Sequence, residues 1–202
     1  MSMRNHVSAT GLALLLAGTP CVAAADAGPS FDCTKKLTSS VEQRICADPK
    51  LAALDRQMAD VYAAATAKAT AADAQSLAVT QRGWIKGRND CWKNSDVQAC
   101  VETSYRQRIA ELQARYRLLA PVGSGRYLCP GTPPREATAE FFETDPPTAV
   151  VDFAGATQLM FAAPSGSGAR YTGGNRQFWE HQGVAMIRWS AATPQVNCPM
   201  RK

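Results

Sequence analysis

Two hydrophobic rhythms divide the chain. As far as residue 119, apolar positions recur at the three- and four-residue spacing of an amphipathic helix. Ser39-Ser40-Val41-Glu42 reads as a capping box that opens a short helix through Cys46. Asp48-Pro49 supplies the N-cap and first-turn proline of the next helix, whose buried stripe is Leu51, Leu54, Met58, Val61 and Tyr62. Leu77, Trp84 and Ile85 mark another, ending near Cys91, and Val101, Tyr105, Ile109, Leu112, Tyr116 and Leu119 mark the last. Ala120-Pro121-Val122-Gly123-Ser124-Gly125 then breaks the pattern.

Beyond that break the period shortens and turn residues recur every few positions. Strands are predicted at 126–129, 137–142, 149–153, 158–161, 169–172, 177–180, 184–189 and 195–198, a spacing that suits a small antiparallel barrel or sandwich. The fold class expected is α+β with two domains: a helical module over 30–119, a linker at 120–125 and a β-domain over 126–202. Each half is expected to fold by itself.

The N-terminus adds a compartment. Residues 1–25 run from Arg4 through an apolar core at Leu14-Leu15-Leu16 to Ala23-Ala24-Ala25, the pattern of a cleaved secretory signal. That apolar run is too short to span a bilayer, and no later one is longer. Cys21 follows Pro20, which argues against acylation at that cysteine. Six cysteines then remain, an even set that in an exported chain reads as disulfides. Fifteen pairings are possible; proximity favours Cys33–Cys46, Cys91–Cys100 and Cys129–Cys198, each inside one structural piece. Local bridges would stabilise a small helical module by about 2–4 kcal/mol each, and a bridge tying the first strand to the last by about 4 kcal/mol.

Charge excludes more than it suggests. Of 22 basic residues only Arg4 leaves with the signal, so 21 face 17 acidic ones, 14 against 11 over 26–119 and 7 against 6 over 120–202. No basic stripe is present, and nucleic acid is not an expected partner. There is no C-x-x-C pair, and His181 is the only histidine after residue 25, so neither a metal nor a cofactor is expected. Ser167, His181 and Asp152 are the residue types of a catalytic triad, but Gly166-Ser167-Gly168 is not a nucleophile elbow, and a binding protein is the better reading than an enzyme.

The spaced residues of both halves resemble known families. Phe31-Asp32-Cys33, Glu42, Ile45-Cys46, Leu54-Asp55, Tyr62, Gln81-Arg82, Trp84, Arg88, Cys91, Cys100, Tyr105 and Arg108-Ile109 resemble the LprI-type N-terminal domain. That resemblance implies a periplasmic or secreted helical module with a lysozyme-inhibiting role attached to the family name. Tyr127-Leu128-Cys129, Ser165, Ser167-Gly168-Ala169-Arg170-Tyr171, Phe178-Trp179, Gly183, Ala185 and Cys198 are similar to the MliC/PliC barrel, the inhibitors of c-type lysozyme. This second resemblance implies that Ser167 enters the enzyme's cleft, with Gly168, Arg170 and Tyr171 shaping the loop. It also implies a lysine before Gly183 that meets a catalytic carboxylate, and here that position is Gln182.

The partner expected is therefore a c-type lysozyme or related muramidase, met in the periplasm or outside the cell. The alternative is an envelope scaffold or stress protein that binds a partner through the helical half.

Overall fold

A computed structural model describes residues 28–201. Residues 1–25, expected to be a secretory signal, lie outside the described residues, Cys21 with them. Four α-helices precede eight strands: α1 (Ser40–Ala47), α2 (Pro49–Lys68), α3 (Ala71–Asn89), α4 (Val97–Arg115), then β1 (Gly123–Cys129), β2 (Arg135–Phe142), β3 (Thr148–Phe153), β4 (Ala156–Ala162), β5 (Ala169–Gly173), β6 (Arg176–His181), β7 (Val184–Arg188) and β8 (Val196–Pro199). A single 3-10 turn, Asp90–Lys93, joins α3 towards α4. No helix among the described residues is long and apolar enough to cross a membrane.

Each helix begins where a side chain can satisfy its free N–H groups. Ser39 Oγ accepts from Glu42 N at 3.2 Å, and Asp48 Oδ1 accepts from Lys50 N and Leu51 N at 2.8 and 3.0 Å. The capping box is shifted: the Glu42 carboxylate reaches past Ser39 to accept from Thr38 N and Thr38 Oγ at 2.6 and 2.8 Å. Thr70 and Asp96 cap α3 and α4 in the same manner. The helices enclose a core of Val41, Ile45, Leu51, Met58, Leu77, Val101, Tyr105, Ile109 and Leu112. Ile85, read as part of the α3 stripe, is turned to solvent. The last helix is shorter than its apolar spacing suggests. Arg117 takes a left-handed φ of 47°, Leu118 N donates to Gln113 O at 2.8 Å and Arg117 N to Ala114 O at 3.2 Å, so a Schellman cap closes the helix before Leu119.

The strands form one antiparallel sheet in sequence order, curled until its ends meet. Tyr127 bridges to Met200, and Arg201 N donates to Arg126 O at 2.8 Å, which nearly closes a barrel. Its interior is packed with Tyr127, Ala137, Ala139, Val151, Phe153, Met160, Phe178 and Ile187. Gly123-Ser124-Gly125, read as linker, is the start of β1 and pairs with Phe141, Glu140 and Ala139. Gly125 is buried there, and any Cβ at that point would run into the Tyr127 ring.

Three disulfides form: Cys33–Cys46, Cys91–Cys100 and Cys129–Cys198. The third spans 69 positions and ties β1 to β8.

The two halves touch. The outward residues of β2 to β4, Phe142, Val150 and Leu159, bury themselves with Ala114 of α4, and Phe161 packs at the margin. This explains why β3 is buried on both faces along Thr148-Ala149-Val150-Val151, unlike a barrel strand with one wet face. Ion pairs Arg106–Asp145 and Arg117–Glu140 flank the apolar contact.

The β3–β4 turn carries a local flaw. Ala154 and Gly155 both have positive φ, 52° and 75°, a two-residue hairpin turn for which Asn-Gly is far better suited than Ala-Gly. Ala154→Asn should raise stability by about 0.5–1 kcal/mol, seen as a higher urea midpoint with an unchanged slope.

Candidate functional site

The residues singled out from sequence gather at one end of the barrel. The β4–β5 loop, 163–168, and the β6–β7 turn, Gln182-Gly183, are neighbours there because Ala169 pairs with Glu180 and His181 with Val184. Ser167 is exposed at the tip of its loop and Gln182 at the tip of its turn. Gln182 and Gly183 have φ of 50° and 78°, again a two-residue hairpin turn.

The Ser167 loop is tied down by its backbone, which leaves the side chain facing outward. Ser165 Oγ donates to Ser167 O at 2.6 Å, and Trp179 Nε1 donates to the same carbonyl at 2.9 Å. Ala163 N donates to Arg170 O at 2.8 Å across the base of the loop. Gly168 has φ +67° and lies against β6 so closely that a Cβ would collide with the Glu180 carbonyl oxygen and come within 3.1 Å of His181 Cβ. Gly166, in contrast, has open space around it. The second turn is held from both sides: Glu180 Oε1 accepts from Gly183 N at 2.9 Å, and Met200 N donates to Gly183 O at 2.7 Å.

Arg170 and Tyr171 support the loop from below and do not reach its tip. The Arg170 guanidinium donates to Gln177 Oε1 at 3.2 and 2.8 Å through Nε and Nη2. The Tyr171 ring lies 5.5 Å from Phe141, which in turn packs 6.0 Å from Phe178. Burial pushes the Tyr171 phenol upward, and burial, with the Glu180 charge adding to it, pushes Tyr127 up to about 12. The folded state is thus favoured by a neutral Tyr127. That contribution is complete below the ordinary phenol range near 10 and is lost as pH rises through about 12. An ultraviolet titration of the native chain should show the Tyr127 phenolate appearing only with alkaline unfolding. Ionisation of all five tyrosines together near pH 10 would contradict this.

Ser167, His181 and Asp152 are not brought together. Asp152 sits at the far end of β3, its carboxylate accepting from the hydroxyls of Thr157 and Thr138.

In the helical half, several of the residues that carried the family resemblance turn inward, Asp55, Arg88, Tyr105 and Arg108 among them. Arg88 Nη1 donates to Tyr105 OH at 2.6 Å, and Tyr105 OH donates to Asp55 Oδ1 at 2.7 Å. Asp55 Oδ2 accepts from Ser30 N and Ser30 Oγ at 2.7 and 2.5 Å, and Glu42 Oε1 faces the Arg88 guanidinium at 3.9 Å. Trp84 meets Tyr105 edge-on at 5.3 Å. Arg108 is likewise buried, donating to Gln81, Glu111 and Thr80. These residues hold α1 to α4 together.

Comparison with known proteins agrees with the order of the two modules. The family described as "Lysozyme inhibitor LprI" matches residues 33–112, and the family described as "Membrane-bound lysozyme-inhibitor of c-type lysozyme" matches residues 127–195. The chain is 35% identical over 168 residues to Lipoprotein LprI of Mycobacterium tuberculosis and of Mycobacterium bovis, covering 83% of each chain. The protein belongs to the LprI family. No solved structure matches it. As an LprI-family chain it carries both lysozyme-inhibitor modules, and its candidate site lies on the second.

The sequence could not show three parts of this LprI-family site. Trp179 was visible as one residue of the MliC/PliC resemblance, not as the donor that fixes the loop. Glu180 gave no sign of capping the neighbouring turn. Gly166 and Gly168 look alike in sequence, yet only Gly168 is required by its surroundings.

Proposed function

We propose that this protein inhibits c-type lysozyme by seating the Ser167 tip in the enzyme's cleft, with Gln182 beside it, in the periplasm or outside the cell. The observation that carries the reading is the preorganised tip. The Ser167 carbonyl is fixed by Trp179 and the following Gly168 is locked against β6, so the hydroxyl is presented without ordering a loop on binding. Lysozyme works with two carboxylates that flank the scissile bond. A hydroxyl and an amide on adjacent rigid turns can donate to such groups and exclude sugar. Three disulfides suit an oxidising compartment.

Ser167→Ala is expected to weaken inhibition by about 1–2 kcal/mol, because it strands a desolvated carboxylate. Gln182→Lys is expected to strengthen it, since a charge-assisted bond replaces a neutral one, and the gain should shrink at high salt. Turbidity assays with c-, g- and i-type lysozymes on cell walls measure both effects and the choice of target. No inhibition of any of the three at micromolar protein would defeat the proposal in favour of a scaffold role for the helical half.

A further inference from the structure

The tip of the barrel does not stand alone. Helix α4 packs on the barrel through Ala114, while its Arg106 pairs with Asp145 in the β2–β3 loop, at the same end as Ser167. From Arg106 the helix continues nine residues towards Val97, about 14 Å at the rise of an α-helix, so the helical half projects past the barrel's tip. On the helical half lies a groove of about 590 Å³, bounded by Trp84 and Gly87 of α3 and by Thr103 and Gln107 of α4, which reaches the barrel at Phe161 of β4. Phe161 is two residues from the start of the Ser167 loop. The groove therefore reaches the barrel close to where the Ser167 loop begins.

We propose that this groove is a second half of the lysozyme-binding surface and receives the lip of the enzyme's cleft beside the Ser167 tip. The inference rests on the inhibitory reading above and goes beyond it, because it gives the helical module a direct role in binding. Three observations favour the enzyme as occupant. First, a protein seated on Ser167 meets the projecting helices before it meets anything else on that side. Secondly, two short turns are a small contact, whereas stable protein pairs bury about 800 Å² on each partner; the groove supplies the missing area. Thirdly, the site lacks the lysine that would face a catalytic carboxylate, having Gln182 there, so affinity must come from elsewhere. The groove is lined by the polar groups of Thr103, Ser104 and Gln107 together with the charged Asp96, Arg108 and Glu111, the mixed polar composition of an interface rim. Near its far end Trp92 is 59% exposed with the Lys93 ammonium 5.6 Å from its ring, an aromatic of the kind that anchors interfaces.

The test uses the full mature chain and the lysozyme it inhibits best. Thr103 and Gln107 are exposed neighbours one turn apart on α4, so Thr103→Arg with Gln107→Arg fills the groove without touching either core. The double variant should raise the inhibition constant about tenfold or more, with an unchanged melting temperature. Gln75→Arg, exposed some nine residues back along α3 from Trp84, should leave it unchanged. Amide exchange should show protection by lysozyme at 99–107 together with 163–168. If Ser167→Ala weakens inhibition but the groove variant stays within twofold and 99–107 gains no protection, the second surface is refuted and the loop reading stands. If neither variant changes inhibition, the loop reading fails and this inference fails with it.

Discussion

Arg88→Ala should cost about 3–5 kcal/mol and unfold the helical half under mild conditions. Arg88 is 4% exposed and faces five residues at once, Glu42 among them. It donates to Tyr105 OH and Asn89 Oδ1, lies 3.5 Å from Asp55 Oδ1, and sits 5.5 Å from the rings of Trp84 and Tyr105. Removing it leaves the buried carboxylate of Asp55 with only Tyr105 and Ser30 as donors, an uncompensated charge inside the core. Arg88→Lys should recover little, because a single ammonium cannot serve Tyr105 and Asn89 together. Arg88→Met with Asp55→Leu should cost far less than the two single changes added, since no charge is then stranded. Urea unfolding followed by far-ultraviolet circular dichroism measures all three. A loss below about 1 kcal/mol for Arg88→Ala would mean that water reaches the network and screens it.

Gly168→Ala should abolish most inhibition while the barrel remains folded. The residue needs φ +67°, which alone costs a side chain about 1–2 kcal/mol. The new Cβ would also strike the Glu180 carbonyl, which is fixed by the pairing of Ala169 with Glu180. The loop must lift away from β6, and the Trp179 hydrogen bond to Ser167 is lost. Together these effects amount to about 2–3 kcal/mol in binding, roughly 30- to 150-fold. Gly166→Ala is the control: nothing lies near it, so its effect should stay within about 0.5 kcal/mol. Equal losses from the two substitutions would mean that general loop flexibility, not the seat on β6, governs binding.

Much of this architecture could be read directly. Ser39, Asp48 and the switch of period after residue 120 announce their elements because caps and alternation are local properties. Cysteine proximity matched the bridges that formed, because each closes a short local loop of the helical half or joins the ends of one sheet. What could not be read was anything decided between elements. Leu119 keeps the helical spacing, but the left-handed Arg117 ends the helix first. Gly123 to Gly125 look like linker, yet neighbouring β2 recruits them into the sheet. Val150 shows only an apolar run, and a partner surface at Ala114 cannot be inferred from it. The same holds at the candidate site. Ser167 and Gln182 were legible through family resemblance, whereas Trp179 and Glu180 act through positions that only folding brings near.

The order of the strands has a consequence for how the barrel is assembled. Every ladder except the last closure joins neighbours in sequence, from β1–β2 to β7–β8. Such contacts form quickly because each closes only a short loop. A chain that emerges N-terminus first can therefore zip up hairpin by hairpin without waiting for distant segments. The single long-range event is the meeting of β1 and β8, and Cys129 and Cys198 are placed at that seam, 69 positions apart. Oxidation there acts as a latch on a nearly finished cylinder. It fastens the two strand edges that would otherwise stay free to pair with another molecule.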